Sequence, residues 1–555
     1  MTLIQAKTID GVLLRDMVVA GAALLEKHRE AVDALNVFPV PDGDTGTNMS
    51  LTMASATREV SQKEYLNAGE AAAAVSKGAL KGARGNSGVI TSQLLRGFSR
   101  ALDGVDRITP LQFAAALKSG AETAYKAVMK PKEGTILTVA RVIAEEAVKQ
   151  AERTPDDYDA LFTNILSTGE VILKKTQQML PALTQAGVVD AGGRGLLYIY
   201  MGYAAVLRGE ELPDDETEGT ESDSFEDEHS LTGELKYIYC TEFGIENLFP
   251  DIVEEDIDSL RRRLNRIGDC VRVTGDLSAV KVHVHTNEPA KALEFGLSLG
   301  ELIDLKIENM AQKRRESQPK EEPKAEPQPA AEPEPMKESG MVAVSLGEGF
   351  NQIFRDLTVD QVVEGGQTMN PSIEDISEAV GRVNAKVVYV LPNNGNVILA
   401  AQQAAELCED KKVVVIPTKN VAMGIAAAIA CQPELSPEQN AARMEEAAQR
   451  VRTGTVTYAV RDTDLDDLHI HQGDIIGLYN GKIQTVGSDV HDVTMRLMES
   501  IVTDEDELIT VYYGKDTKEA DAQALTDELE ECYGDCDVEM QMGGQPLYYY
   551  LVSVE

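Results

Sequence analysis

Two stretches of this chain cannot be packed into any core, and they decide how the rest divides. Residues 211–230 read ELPDDETEGTESDSFEDEHS, and residues 313–340 read KRRESQPKEEPKAEPQPAAEPEPMKESG. Neither carries enough apolar surface to offset the entropy lost on ordering. The first is almost purely acidic and polar. The second is rich in Pro, Glu, Lys and Ala and is expected to act as a semi-extended spacer. A chain of 555 residues is too long for one core. These cuts leave blocks at 1–209, 231–312 and 341–555, joined by linkers at 210–230 and 313–340.

The first block reads as helices. Val12, Leu13, Val19, Leu24 and Leu25 form an apolar stripe near helical period, and AGEAAAAVSKGAL, LQFAAALKSGAETAYKAVM and TVARVIAEEAVKQAER repeat the pattern. An all-α bundle with glycine-rich loops at its helix ends is expected. The second block mixes alternating strands, LKYIYCTEF and AVKVHVHTN, with the helix VEEDIDSLRRRLNRIG, and predicts a small α+β domain. The third alternates β-rich runs (MVAVSL, KVVYVL, KVVVIP) with helical patterns, the signature of a mainly parallel α/β sheet. Asn480-Gly481 in IIGLYNGKIQTV predicts a hairpin turn.

Composition removes several functions. The formal net charge is −40, which repels nucleic acid, anionic membranes and free nucleotide alike. Any nucleotide site must therefore bring cations with it. There is no tryptophan to build stacking platforms for single strands. No signal peptide or bilayer-spanning run is evident. Six scattered cysteines without a disulfide spacing point to a reducing cytoplasm.

Three loops of the first block hold polar chemistry. In NVFPVPDGDTGTNM, from Asn36 to Met49, Asp42 and Asp44 straddle Gly43 and share a side if the backbone is extended. Hard cations such as Mg²⁺ take such carboxylates together with substrate phosphates. Gly43 and Gly46 let the backbone curl, and Thr45, Thr47, Asn48 and Ser50 add short polar groups where a helix starts. Asn36 offers a further oxygen. An ordinary proline-glycine turn with an Asp or Thr cap would have the same composition. The second loop, KGALKGARGNSGVITSQLLRGF, carries Arg84, Gly85, Asn86, Ser87 and Gly88; the third, AGVVDAGGRGLL, carries Asp190, Gly192 and Arg194. Each alone could serve only close helix packing. Three such loops in one bundle suggest one nucleotide site. No GxxxxGK[ST] is present, so this is not a P-loop.

With Gly85-Asn86-Ser87-Gly88 and Val189-Asp190-Ala191-Gly192-Gly193, the Asn36–Met49 stretch resembles the nucleotide-binding subunit of dihydroxyacetone kinases. It resembles more closely the catalytic subunit of bacterial fatty acid kinase, over all three blocks. The resemblance implies an antiparallel helical barrel that binds ATP with Mg²⁺ at its loop end. Asp42 and Asp44 would ligate the metal, and Thr45, Asn48, Ser87 and Gly88 would touch phosphate. Dihydroxyacetone kinases carry a further aspartate before the pair, where Asn36 is the nearest candidate here. The implied reaction is phosphorylation of a fatty acid carboxylate, held by a separate fatty-acid-binding protein, to an acyl phosphate used in phospholipid synthesis. A homodimer is implied as well. A small-polyol kinase of dihydroxyacetone type and a non-catalytic ATP-binding scaffold are the alternatives.

The second block adds His283 and His285 in KVHVHTNEP, on one strand face, and Cys240 in YIYCTEF. One Cys and two His form a partial Zn²⁺ set, with Glu242 the nearest fourth ligand; two ordinary strand histidines are the plainer reading. In the third block, LPNNGN (Leu391–Asn396) ends a strand, and GGQTMNPS (Gly365–Ser372) resembles a loop of the fatty-acid-binding partner's fold. This block is expected to dock that partner. His469 with His471, and Cys532 with Cys536, are expected to be structural.

Overall fold

The structure, a computed structural model, describes residues 6–36, 43–210, 237–246, 248–249, 252–275, 280–309, 336–366, 369–432, 434–465 and 468–555. Both expected linkers fall almost wholly outside these residues, as does Asp42. Residues 1–216 and 335–555 form one compact unit, and 217–334 a second.

The first unit opens with helices α1 (Gly11–Lys27), α2 (Arg29–Asp33), α3 (Thr45–Ser61), α4 (Ala68–Lys81), α5 (Gly85–Ala101), α6 (Pro110–Ala127), α7 (Ile136–Arg153), α8 (Tyr158–Met179), α9 (Pro181–Ala186) and α10 (Ala191–Arg208). Their boundaries are chemical. Asp10 caps α1 through Leu13 N, Thr109 and Gln112 form a capping box on α6, and Gly209 ends α10 in the left-handed region. Longer helices adjacent in sequence pack on one another, and α10 packs back on α1. The interior holds Phe98, Phe113, Tyr158 and Phe162, with Phe98 and Phe113 edge to face at 5.2 Å. The α1–α10 contact needs glycine. A Cβ on Gly202 would lie 2.5 Å from Gly21 Cα.

The C-terminal part of this unit begins at Lys337, slightly before the expected boundary. Strands β5 (Lys337–Ser345), β6 (Gln361–Glu364), β7 (Ala385–Leu391) and β8 (Lys412–Val415) form a parallel sheet in the order β6-β5-β7-β8. Helices α13 (Glu348–Asp356), α14 (Ile373–Arg382), α15 (Ile398–Leu407) and α16 (Val421–Ala430) follow the strands in turn, and α17 (Pro437–Arg450) completes the layer. Val342, Val344, Val388 and Val390 are buried, as a sheet covered on both faces requires. The second half of this region differs from the parallel expectation. Strands β9 (Arg452–Tyr458), β12 (Ile475–Tyr479), β13 (Lys482–Gly487), β14 (Leu508–Tyr513), β15 (Asp537–Met542) and β16 (Tyr548–Val554) form a sheet in which β14–β15 is the parallel pair and the other pairings are antiparallel. The short pair β10 (Thr463–Leu465) and β11 (Leu468–Ile470) lies outside it, and α18 (Val490–Ile501) and α19 (Glu519–Cys532) complete the region. The β12–β13 hairpin turns at Asn480 and Gly481, both at positive φ as their sequence predicts.

The helical and α/β parts share a buried surface. Ala83 and Val89 pack with Val342, Ile373 and Val397, and Ile373 N donates to Ala83 O at 3.1 Å. The Gln93 amide donates to Gln403 Oε1 at 2.7 Å in a buried position.

The second unit is an antiparallel sheet, β2-β3-β1-β4, from β1 (Tyr239–Glu246), β2 (Gly268–Gly275), β3 (Val280–Thr286) and β4 (Glu301–Asn309), with α11 (Glu254–Ile267) and α12 (Pro289–Leu297). Phe243, Leu260, Leu264 and Val282 form its core. The expected α+β domain is present, with its helix between the expected strands.

If the α1–α10 approach closes the helical ring, Gly202→Ala costs about 1–3 kcal/mol by overpacking. Gly381→Ala, where no atom lies within 4 Å, is expected to be neutral or stabilising. Urea unfolding of both variants checks this; equal midpoints would contradict it.

Candidate nucleotide and metal sites

The three glycine-rich loops meet. Asp44, Thr45 and Asn48 from the start of α3, Asn86 and Ser87 from the start of α5, and Asp190, Ala191 and Gly192 from the start of α10 line one cleft of about 460 Å³. Leu35, Ile90, Ile136 and Leu183 supply apolar wall. Three helices therefore direct their N-terminal, positive ends into one space. The N-terminus of α5 has no side-chain cap. Among the described residues, no Lys or Arg lines the cleft.

The first loop is held by a residue that no motif in the sequence points to. Asp33, the last residue of α2, accepts from Gly46 N at 2.6 Å, from Thr47 N at 3.1 Å and from the Thr47 hydroxyl at 2.8 Å. It thus caps α3 from a distant element. Its burial pushes its carboxyl pKa upward, against the opposing pull of these hydrogen bonds. No local spacing signals this, because thirteen residues separate Asp33 from Gly46. The Thr45 hydroxyl donates to Asn36 Oδ1 at 2.9 Å, so Asn36 orients Thr45.

The α/β part also reaches the cleft. Asn396 lines it, accepting from the Asn86 amide at 3.0 Å. The buried Asn370 amide donates to the Asp44 carboxylate, and Arg84 donates to Asn370 O at 2.9 Å. Arg461 donates to Ala34 O at 2.9 Å and to Asn36 O. Asn370 and Asn396 lie in the GGQTMNPS and LPNNGN loops of the third block, and both bond to residues of the helical part.

Other expected residues have different surroundings. Thr47 is taken by Asp33 and does not line the cleft. A Cβ on Gly88 would lie 2.4 Å from Thr52 Oγ1, so this glycine lets α5 approach α3. Gly85 has φ +57 and abuts the Asn48 amide. Arg194 pairs with Glu170 at 2.7 Å and is absent from the cleft lining. Asp190 caps α10, accepting from Gly193 N at 2.7 Å.

Oxygen donors dominate the cleft, which suits a hard cation such as Mg²⁺: the Asp44 carboxylate, the Thr45 hydroxyl and the Asn48 amide. In the second unit, Cys240, His283 and His285 bring their ligand atoms within 4.8 Å of one another. His283 Nε2 and His285 Nε2 are 3.3 Å apart, close to the edge of a zinc tetrahedron, about 3.3 Å for bonds of about 2.0–2.1 Å. Glu242 Oε1 lies 2.9 Å from His283 Nδ1 and 3.8 Å from Cys240 Sγ, and that sulfur is 4.0 Å from the same ring nitrogen. Asp269, Cys270 and His285 form an overlapping set. Among the described residues, neither the His469–His471 pair nor the Cys532–Cys536 pair joins such a cluster.

Burial pushes the Asp190 carboxyl up to about 6. Its folded form therefore holds a proton more tightly than the unfolded chain does, near the ordinary value of about 3.9. The stabilisation is full below about pH 4 and is lost as pH rises through about 6. Asp190→Asn keeps a capping side chain but cannot ionise. Urea unfolding should give similar stabilities at low pH and a more stable variant at pH 7.5; a difference independent of pH would contradict this.

Comparison with known proteins places these observations in a family. Residues 340–555 match the C-terminal domain of FakA-like fatty acid kinase proteins, residues 236–317 match the FakA-like middle domain, and residues 39–205 match the DAK2 domain. Protein YloV of Bacillus subtilis is 43% identical over 99% of this chain and 100% of its own length. The solved structure titled for fatty acid binding of a DegV family protein from Thermus thermophilus aligns with 39% of this chain and 99% of its own, at 15% identity and a TM-score of 0.29. The dihydroxyacetone kinase of C. freundii aligns with 37% of this chain and 35% of its own, at 19% identity and a TM-score of 0.28. The domain matches and the full-length relative agree: this chain belongs to the FakA-like fatty acid kinase family.

Proposed function

We propose that this chain transfers the γ-phosphoryl group of ATP to a fatty acid carboxylate presented by a separate fatty-acid-binding protein. The observation that carries this reading is the cleft, where three helix N-termini and a set of oxygen donors converge in a chain of this family. A carboxylate oxygen attacks the γ-phosphorus, the bond to the β–γ bridging oxygen breaks, and ADP leaves with that electron pair. The carboxylate is ionised at neutral pH, so no general base is needed. Catalysis then rests on positioning and charge neutralisation.

Asp44, with Asp42, would hold Mg²⁺, which when bound neutralises the phosphate charge. Asn48, Asn86 and Ser87 would donate to phosphate oxygens, together with the uncapped N–H groups of α5. Asp33 and Asn36 fix the backbone and hydroxyl of the first loop. The apolar wall would take the base.

The partner would dock on the α/β part, and the protein would act as a cytoplasmic homodimer. Among the described residues no helix is long and apolar enough to cross a membrane, and no disulfide joins the cysteines. In the second unit, Cys240, His283 and His285 would hold Zn²⁺, for which their sulfur and nitrogen donors are suited.

Labelled ATP tests the central reading. Label is expected in acyl phosphate only when fatty acid and a fatty-acid-binding protein are both present, and Asp42→Asn with Asp44→Asn should abolish it. Label on dihydroxyacetone would instead identify a polyol kinase. Bound ATP without transfer in any mixture would favour a scaffold. Elemental analysis after dialysis is expected to find one zinc per chain, lost in Cys240→Ser; a zinc-free wild type would retire that site.

A further inference from the structure

Asp44 is the N-cap residue of α3, and its carboxylate makes no cap hydrogen bond. An aspartate in that position ordinarily folds back to accept from the second or third N–H of its helix. Here both of those groups, Gly46 N and Thr47 N, are taken by Asp33. Asp33 thus relieves Asp44 of capping, and Asp44 lines the cleft instead. A carboxylate that does not cap its own helix needs another hold on its direction. The Asn370 amide, from the α/β part, supplies one by donating to Asp44 Oδ2.

The backbone around Asn370 is tied to the start of α5. Arg84 Nη1 donates to Asn370 O at 2.9 Å, Ile373 N donates to Ala83 O at 3.1 Å, and Arg84 pairs with Ser372 in an antiparallel bridge. Ser372 and Asp375 then form the capping box that starts α14. The amide has one workable orientation, because flipping it would set its oxygen against a carboxylate oxygen. That orientation has a cost. Asn370 is 1% exposed, and its Oδ1 has no hydrogen-bond partner among the described residues. A buried acceptor left unpaired destabilises the fold, so packing alone does not account for an amide at this position. An apolar side chain of similar volume would fill the space without that cost, but it could not donate to Asp44. Carboxylates that hold a metal are themselves held by such donors, and loss of one weakens metal binding about 10–100-fold.

We propose, on the reading of Asp44 as a magnesium ligand, that Asn370 is a positioning residue for that metal: it fixes the Asp44 carboxylate, so the α/β part sets the metal affinity of the helical part. Calorimetric titration of ATP into the full chain over a series of Mg²⁺ concentrations tests this, with the Mg²⁺ midpoint of ATP binding as the readout. Asn370→Leu keeps the volume and removes the donor. It should raise the midpoint by about tenfold or more while the melting transition stays intact. Gln403→Leu breaks a second buried amide contact across the same surface, the one with Gln93, and should leave the midpoint in place. Equal shifts in the two variants would make Asn370 a packing residue and overturn the proposal. So would a wild-type midpoint in Asn370→Leu when Asp44→Asn raises it, a result that leaves the metal reading standing. A midpoint unmoved by Asp44→Asn would overturn both.

Discussion

One carboxylate sets the geometry on which the cleft depends. Asp33 ends α2 and holds the first two N–H groups past Thr45, together with the Thr47 hydroxyl. This fixes where α3 begins, and hence where Asp44, Thr45 and Asn48 stand. A Cβ on Gly46 would lie 2.3 Å from Arg29 O, so a larger residue there would push α3 away from α2. The glycine that the loop shares with a phosphate-binding pattern serves first to let two helices approach.

The electrostatics follow from what the cleft lacks. With a formal charge of −40 and no Lys or Arg among the described residues lining it, the cleft has two sources of positive potential for an anion. One is the set of helix N-termini of α3, α5 and α10. The other, on the proposed reading, would be a metal on the acidic loop. Asn370 binds Asp44 from the α/β part, so the orientation of a candidate metal ligand depends on how the two parts of this unit pack.

Much of the architecture was legible because it rests on periodicity. The helical block, the βα alternation and the Asn480-Gly481 hairpin follow from local pattern. The antiparallel second sheet was less so, since strand pairing is a long-range choice. At the site, the loops could be read but their meeting could not. The structure supplies that meeting and assigns the polar residues to different tasks: Thr47 to Asp33, Arg194 to Glu170, Gly88 to the α3–α5 contact. The loops that hold Asn370 and Asn396 stood out in sequence, but nothing local showed that these residues bond to Asp44 and Asn86 of the helical part. Asp33 gave no signal, because a cap supplied across thirteen residues has no fixed spacing.

The most direct test of this account is calorimetric titration of ATP into the full chain with Mg²⁺ present and with the metal removed by chelation. A cleft with no basic side chain in its described lining should bind ATP with Mg²⁺ and lose that binding without it. Equal affinity under both conditions would contradict the account, since the protein alone would then neutralise the phosphates.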